Sequence, residues 1–125
     1  MKKQIAPVYR RQSSIVVYTD YSGKSNQISY YAVKRFNGVE SLHDYGFSSV
    51  SKGLKPTEGE LKAALSALSR FPRAKVMTDC MFVIHKLASL EKVEHVKAHA
   101  GNIGNEHADY LARNSKLHPK YRNRK

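Results

Sequence analysis

Two short runs end in the same Thr-Asp pair: Ser14-Ile15-Val16-Val17-Tyr18 leads into Thr19-Asp20, and Ala74-Lys75-Val76-Met77 leads into Thr78-Asp79. Both are mainly apolar or β-branched, so each reads as a strand buried on two faces, with a carboxylate where it reaches the surface. Glu60 stands in the first turn of a helical pattern between them, and Asp109 stands early in a later one. A right-handed strand–helix–strand crossover would lay the two strands parallel and side by side, both Thr-Asp ends at one sheet edge. Carboxylates that close repel, and one stays protonated unless a cation holds them. Oxygen-only ligands suit hard divalent ions, Mg²⁺ or Mn²⁺, and two such ions roughly 4 Å apart support in-line displacement at phosphorus.

Each acid also has a plainer explanation. Thr57-Glu58-Gly59-Glu60 fits a capping box in which Glu60 reaches back to the Thr57 amide. Asp109 stands four residues before Arg113, the spacing of an ordinary helical ion pair. Asp20 and Asp79 fit as end-of-strand turn residues. Convergence separates the readings, because independent local roles give the acids no reason to meet. His95 and His99 are four apart, which raises zinc, but they fall in a predicted strand and loop with no Cys partners.

The elements that must position these acids follow a simple order. Ile28 to Phe36 reads as a second strand, ended by Asn37-Gly38, a strong hairpin signal, and Val39 to Ser48 as a third, antiparallel one. Thr57 is the expected N-cap of the clearest helix, whose Leu61, Ala64, Leu65 and Leu68 share one face, and Phe71-Pro72 stops it. After the Ala74–Asp79 strand comes a short helix with Val83, Ile84, Leu87 and Leu90 on its apolar side. Val93 to Ala98 is a third parallel strand, and Asn105 to about Asn114 the last helix, burying Ala108, Leu111 and Ala112. The pattern β-β-β-α-β-α-β-α predicts an α/β fold, a mixed sheet with helices on its faces.

A chain of 125 residues supports one domain and one core. The core is expected over residues 14–114, between a basic N-terminal arm, 1–12, and a flexible basic tail, 115–125. Twenty-two Lys and Arg against ten Asp and Glu give a net charge of +12, which favours a polyanionic partner over a merely basic globular surface. The single Cys80 excludes an intramolecular disulfide, and no paired-Cys zinc pattern occurs. No apolar run approaches the roughly 20 residues of a membrane span. The basic N-terminus lacks the apolar stretch of a signal peptide, so a cytoplasmic monomer with no membrane partner is expected. These residues alone point to a metal-dependent nuclease.

Four motifs in order then resemble type 1 ribonuclease H, over Ser14 to Asn114. Thr19-Asp20-Tyr21-Ser22 is similar to T-D-G-S, Glu60-Leu61-Lys62-Ala63-Ala64-Leu65 with Ala67-Leu68 to E-L-x-A-x-x-x-A-L, and Thr78-Asp79-Cys80 to T-D-S. The most specific runs from Val96 to Arg113 and resembles V-x-G-H-A-G-x-x-G-N-E-x-A-D-x-L-A-R. The resemblance implies a ribonuclease H-like five-stranded mixed sheet, order 3-2-1-4-5, flanked by three helices. It implies two Mg²⁺ ions, with Mn²⁺ as substitute, on Asp20, Glu60, Asp79 and Asp109, and His99 assisting proton transfer or product departure. The implied activity is hydrolysis of the RNA strand of RNA–DNA hybrids, leaving 5′-phosphate and 3′-hydroxyl ends. Nucleic-acid contacts are expected at Ser22, Lys24, Thr57, Asn102 and Asn105, and along the tail at Lys116, Lys120, Arg122 and Arg124.

The chain departs from the family pattern at Tyr21 and Ala98, where glycines are usual, and at Pro56, near the usual position of an Asn that reads the RNA 2′-hydroxyl. It also lacks the additional basic helix of larger members, which the basic arms would replace. Two other functions fit the same residues: a nuclease of this fold acting on DNA or structured RNA, and a non-catalytic nucleic-acid-binding module. The complete set of acids with His99 argues against the latter.

Overall fold

The fold is built around β1 (Ser14–Ser22), whose residues from Val16 to Asp20 are buried. In the computed structural model, residues 14–122 are described; the N-terminal arm and Arg124 lie outside them. β2 (Gln27–Phe36) pairs antiparallel with β1, and β3 (Val39–Ser49) antiparallel with β2. β4 (Lys75–Thr78) lies parallel to β1 on its other side, and β5 (Val93–His95) parallel to β4. The sheet order is β3-β2-β1-β4-β5, as expected.

Asn37 and Gly38, at φ 53° and 80°, make the turn between β2 and β3 with both residues left-handed, the geometry that Asn-Gly favours. Asp44 and Gly46 do not break β3. A register shift near Ala32 and Val33 leaves His43 unmatched, while Asp44 accepts hydrogen bonds from the Tyr30 hydroxyl at 3.2 Å and from Arg70 at 3.3 Å. Gly46 is needed for space, since a Cβ there would stand 2.6 Å from the Tyr30 ring.

α1 (Pro56–Arg70) covers one face of the sheet, α3 (Ile103–Asn114) the other. α1 starts earlier than predicted. Lys55, not Thr57, is its N-cap, and Pro56 takes the first helical position, where its fixed φ fits and its missing N–H costs nothing. The buried face also differs: Gly59, Ala63, Ala64 and Ala67 are buried, whereas Leu65 is 46% exposed. Small residues on that face let the helix lie close to the sheet. It packs with Val17, Ala32 and Val76 in one core cluster, while Val16, Tyr18, Tyr31 and Val33 meet Ala108 and Leu111 of α3 in the other.

α2 (Met81–Lys86) buries Val83 fully, but Leu90, in the 3₁₀ turn Ala88–Leu90, is 45% exposed. β5 is shorter than the expected Val93–Ala98, although Val96 remains buried and its N–H reaches the Thr78 carbonyl at 2.9 Å. α3 begins two residues before the predicted Asn105, because the Asn102 side chain caps it by accepting the Asn105 N–H at 2.8 Å. The first residues after Ser115 lie against the domain. Leu117 packs on the second core cluster, His118 stands edge-on to His107 at 5.1 Å and tilted on Tyr110 at 4.7 Å, and a short helix, α4 (Pro119–Arg122), follows. No helix among the described residues is long and apolar enough to cross a membrane.

Candidate metal centre

Parallel pairing of β1 with β4 sets Val16 by Lys75, Val17 by Val76 and Tyr18 by Met77. Carried two residues further, the register brings Asp20 beside Asp79. Glu60 enters from the first turns of α1. Carboxylate oxygens of Asp20, Glu60 and Asp79 all lie within 4.8 Å of one another. The capping explanation for Glu60 falls away, because Glu58 accepts the N–H of Lys55 at 2.8 Å and closes the helix start instead.

Asp20 is only 6% exposed, and its Oδ1 accepts the backbone N–H of Tyr21 at 2.8 Å. Glu60 Oε1 is buried with no hydrogen-bond partner. Burial, then the neighbouring acids Asp109 and Asp79, push the Asp20 carboxyl up to about 7. Burial, then Asp20, push Glu60 up to about 10, and burial followed by Asp109 raises Asp79. No ion pair with Lys or Arg relieves these three acids among the described residues. An orphaned buried oxygen and three crowded oxygen donors fit a hard divalent cation, which would restore their charged forms.

Asp109 lies outside that group of three. Its Oδ2 accepts from Arg113 Nη2 at 2.8 Å, so the helical ion pair foreseen for it is formed. It still borders the cluster, since it contributes to the raised values of both Asp20 and Asp79. His99 is exposed, in a left-handed conformation at φ 53° on the loop before α3. Together with His95 it favours the charged form of Asp79. His95 pairs with Thr78 in the sheet, which sets it next to Asp79.

The predicted nucleic-acid contacts divide. Lys24, Lys116 and Lys120 are exposed, and Thr57 is half-buried at the start of α1. Ser22 is 7% exposed, its Oγ accepting the Ser25 N–H at 3.2 Å. Asn102 caps α3, its side chain accepting the Asn105 backbone N–H, and Asn105 is buried at 3% exposure. Arg122 closes α4.

No protein-family model and no curated protein sequence matches the chain. Among solved structures, RNase H1 of the halophilic archaeon Halobacterium salinarum NRC-1 superposes with a TM-score of 0.59 at 15% identity. The match covers 82% of this chain and 99% of that one. The chain has a ribonuclease H-like fold. In the ribonuclease H-like frame, Asp20 and Asp79 sit at the carboxyl ends of the neighbouring strands β1 and β4, where open α/β sheets place their ligands.

Proposed function

We propose that the protein is a Mg²⁺-dependent endoribonuclease, with Mn²⁺ as a substitute, that hydrolyses the RNA strand of RNA–DNA hybrids. The convergence of Asp20, Glu60 and Asp79 within 4.8 Å, on a ribonuclease H-like fold, carries this reading. The net charge of +12 supports a polyanionic substrate. Asp20, Glu60, Asp79 and Asp109 would hold two divalent ions. Ions held there would supply activation of the attacking water and charge stabilisation at the leaving 3′ oxygen, the chemistry that gives 5′-phosphate and 3′-hydroxyl ends. Asp20, the most buried acid, holds its carboxylate in one orientation through the Tyr21 N–H and would serve both ions. His99, exposed and near Asp79, accepts or returns a proton as product leaves.

Pro56 favours a second reading. A proline at the start of α1 offers no side-chain or amide donor to a 2′-hydroxyl, which fits a nuclease of this fold that cuts another duplex. End-labelled RNA–DNA, RNA–RNA and DNA–DNA duplexes of one sequence, incubated with Mg²⁺, Mn²⁺ or chelator beside Asp20→Asn, test both. Metal-dependent cutting of RNA in the hybrid alone is expected. Cutting of a different duplex supports the second reading, and binding without cutting refutes both.

A further inference from the structure

Tyr18 and Tyr21 stand three apart on β1, so their side chains project from opposite faces of the strand. Each ring lies on a glycine in the first turns of a helix that carries one of the acids. A Cβ at Gly104 of α3 would collide with the Tyr18 ring, and a Cβ at Gly59 of α1 would collide with Cγ, Cδ1 and Cδ2 of Tyr21. Those three atoms are at the root of the ring, so no swing of its far end relieves the clash.

We propose that Tyr21 is a positioning residue for the metal-binding acids: seated on Gly59, its ring sets the spacing between α1 and the end of β1 and so holds Glu60 within reach of Asp20 and Asp79. The inference rests on reading those three acids as metal ligands. Gly59 is buried and directly precedes Glu60. A glycine inside a helix costs about 1 kcal/mol relative to alanine, and Gly59 has an ordinary helical backbone, so close approach, not conformational freedom, accounts for it. The same residue orients the second acid, because the Tyr21 N–H donates to Asp20 Oδ1 at 2.8 Å. At its outer end the ring lies over Gly23, so it spans from the first turn of α1 to the turn after β1. Where sequences that this chain resembles carry glycine beside the first acid, here the gap between strand and helix is filled from the strand.

The test is Mn²⁺ binding by calorimetry on the full chain, with thermal melting as the control for folding. Tyr21→Phe keeps the ring and should bind Mn²⁺ like the wild type. Tyr21→Gly and Gly59→Ala should each weaken binding about 10- to 100-fold, the usual loss when a residue supporting a metal ligand is changed. The double variant Tyr21→Gly/Gly59→Leu, which fills the gap from the helix side, should bind more tightly than Tyr21→Gly alone. Leu117→Ala lowers the melting temperature without touching this contact, and should leave Mn²⁺ affinity unchanged. A folded Tyr21→Gly protein that binds Mn²⁺ like the wild type overturns the proposal. Affinity losses that merely follow melting temperature, Leu117→Ala included, overturn it too, as does a changed duplex preference at unchanged affinity. A wild type that binds Mn²⁺ but cuts no duplex removes the nuclease reading and leaves this inference standing; one that binds no ion overturns both.

Discussion

Asp109 turns its carboxylate along its own helix, where Oδ2 takes the Arg113 Nη2 at 2.8 Å and the Nε at 3.2 Å. Asp109 therefore borders the acidic cluster while anchored elsewhere, unlike Asp20, Glu60 and Asp79. Asp20→Asn should abolish cleavage, whereas Asp109→Asn should lower it about 10- to 100-fold at saturating metal. Arg113→Ala, which removes only an exposed pair, should change stability by about 0.2–0.5 kcal/mol and cleavage less than Asp109→Asn does. Single-turnover rates and thermal melts check these values; an Asp109→Asn enzyme of wild-type rate would remove that acid from the site.

The raised carboxyls give the metal-free protein a definite pH dependence. Unfolded, Asp20 and Glu60 titrate near 3.8 and 4.5; folded, they titrate at about 7 and about 10. The folded state therefore binds more protons between those limits, and stability from these groups is lost as pH rises from about 4 towards 7, and further towards 10. In chelator, the melting temperature of the wild type should fall with rising pH relative to Glu60→Gln. Added Mg²⁺ should raise it, most at the alkaline end. Parallel wild-type and Glu60→Gln curves would count against the buried cluster.

His107 acts in the opposite direction. It is buried, stacked on Tyr31 at 4.6 Å, and burial followed by His118 and Lys120 lowers it from 6.5 to about 4. The unfolded chain binds the proton more readily, so this contribution is lost as pH falls from about 6.5 through 4. Replacing His107 with Phe should flatten the acid limb of the melting curve. Proteolysis of the tail after Ser115 should become faster for the wild type in acid, and much less so for the variant.

Two glutamates two residues apart have separate tasks. Glu58→Ala should cost roughly 0.3–1.5 kcal/mol of stability through loss of the α1 cap and leave cleavage nearly unchanged. Glu60→Gln should do the reverse. Urea melts beside cleavage rates tell them apart, and a catalytic defect in Glu58→Ala of the size seen for Glu60→Gln would contradict the assignment.

The face of α1 gives a packing test. Ala64→Leu should overpack the helix against the sheet at about 1–3 kcal/mol. Leu65→Lys, at a side chain 46% exposed, should stay within about 0.5 kcal/mol. Denaturant midpoints decide.

Ile15 to Tyr18, Asn37-Gly38 and the Thr-Asp repeats were legible because each is a local pattern with one common structural outcome. The start of α1 was not: Thr57 is the better N-cap by type, but Pro56 fixes the first helical residue and passes the cap to Lys55. Leu65 looked buried because leucine is more apolar than alanine, and only the tight fit of Gly59, Ala63 and Ala67 to the sheet reverses that order. The three clustered acids could be read from strand order and register. The Asp109–Arg113 pair was legible too, from its spacing of four; the burial of Asn105 and the docking of His118 were not, since they depend on contacts between segments distant in sequence.

The pairing of β1 with β4 carries a kinetic consequence. β1, β2 and β3 are joined by short turns and can zip together early, yet β1 meets β4 only after the whole of β2, β3 and α1 has been bypassed. Loop closure of that length is slow compared with hairpin formation. Asp20 and Asp79 come together in that step, so a partly folded chain presents no cluster. Uptake of a divalent ion during refolding would mark the last stage of assembly, and would lag behind the signal from the hairpins.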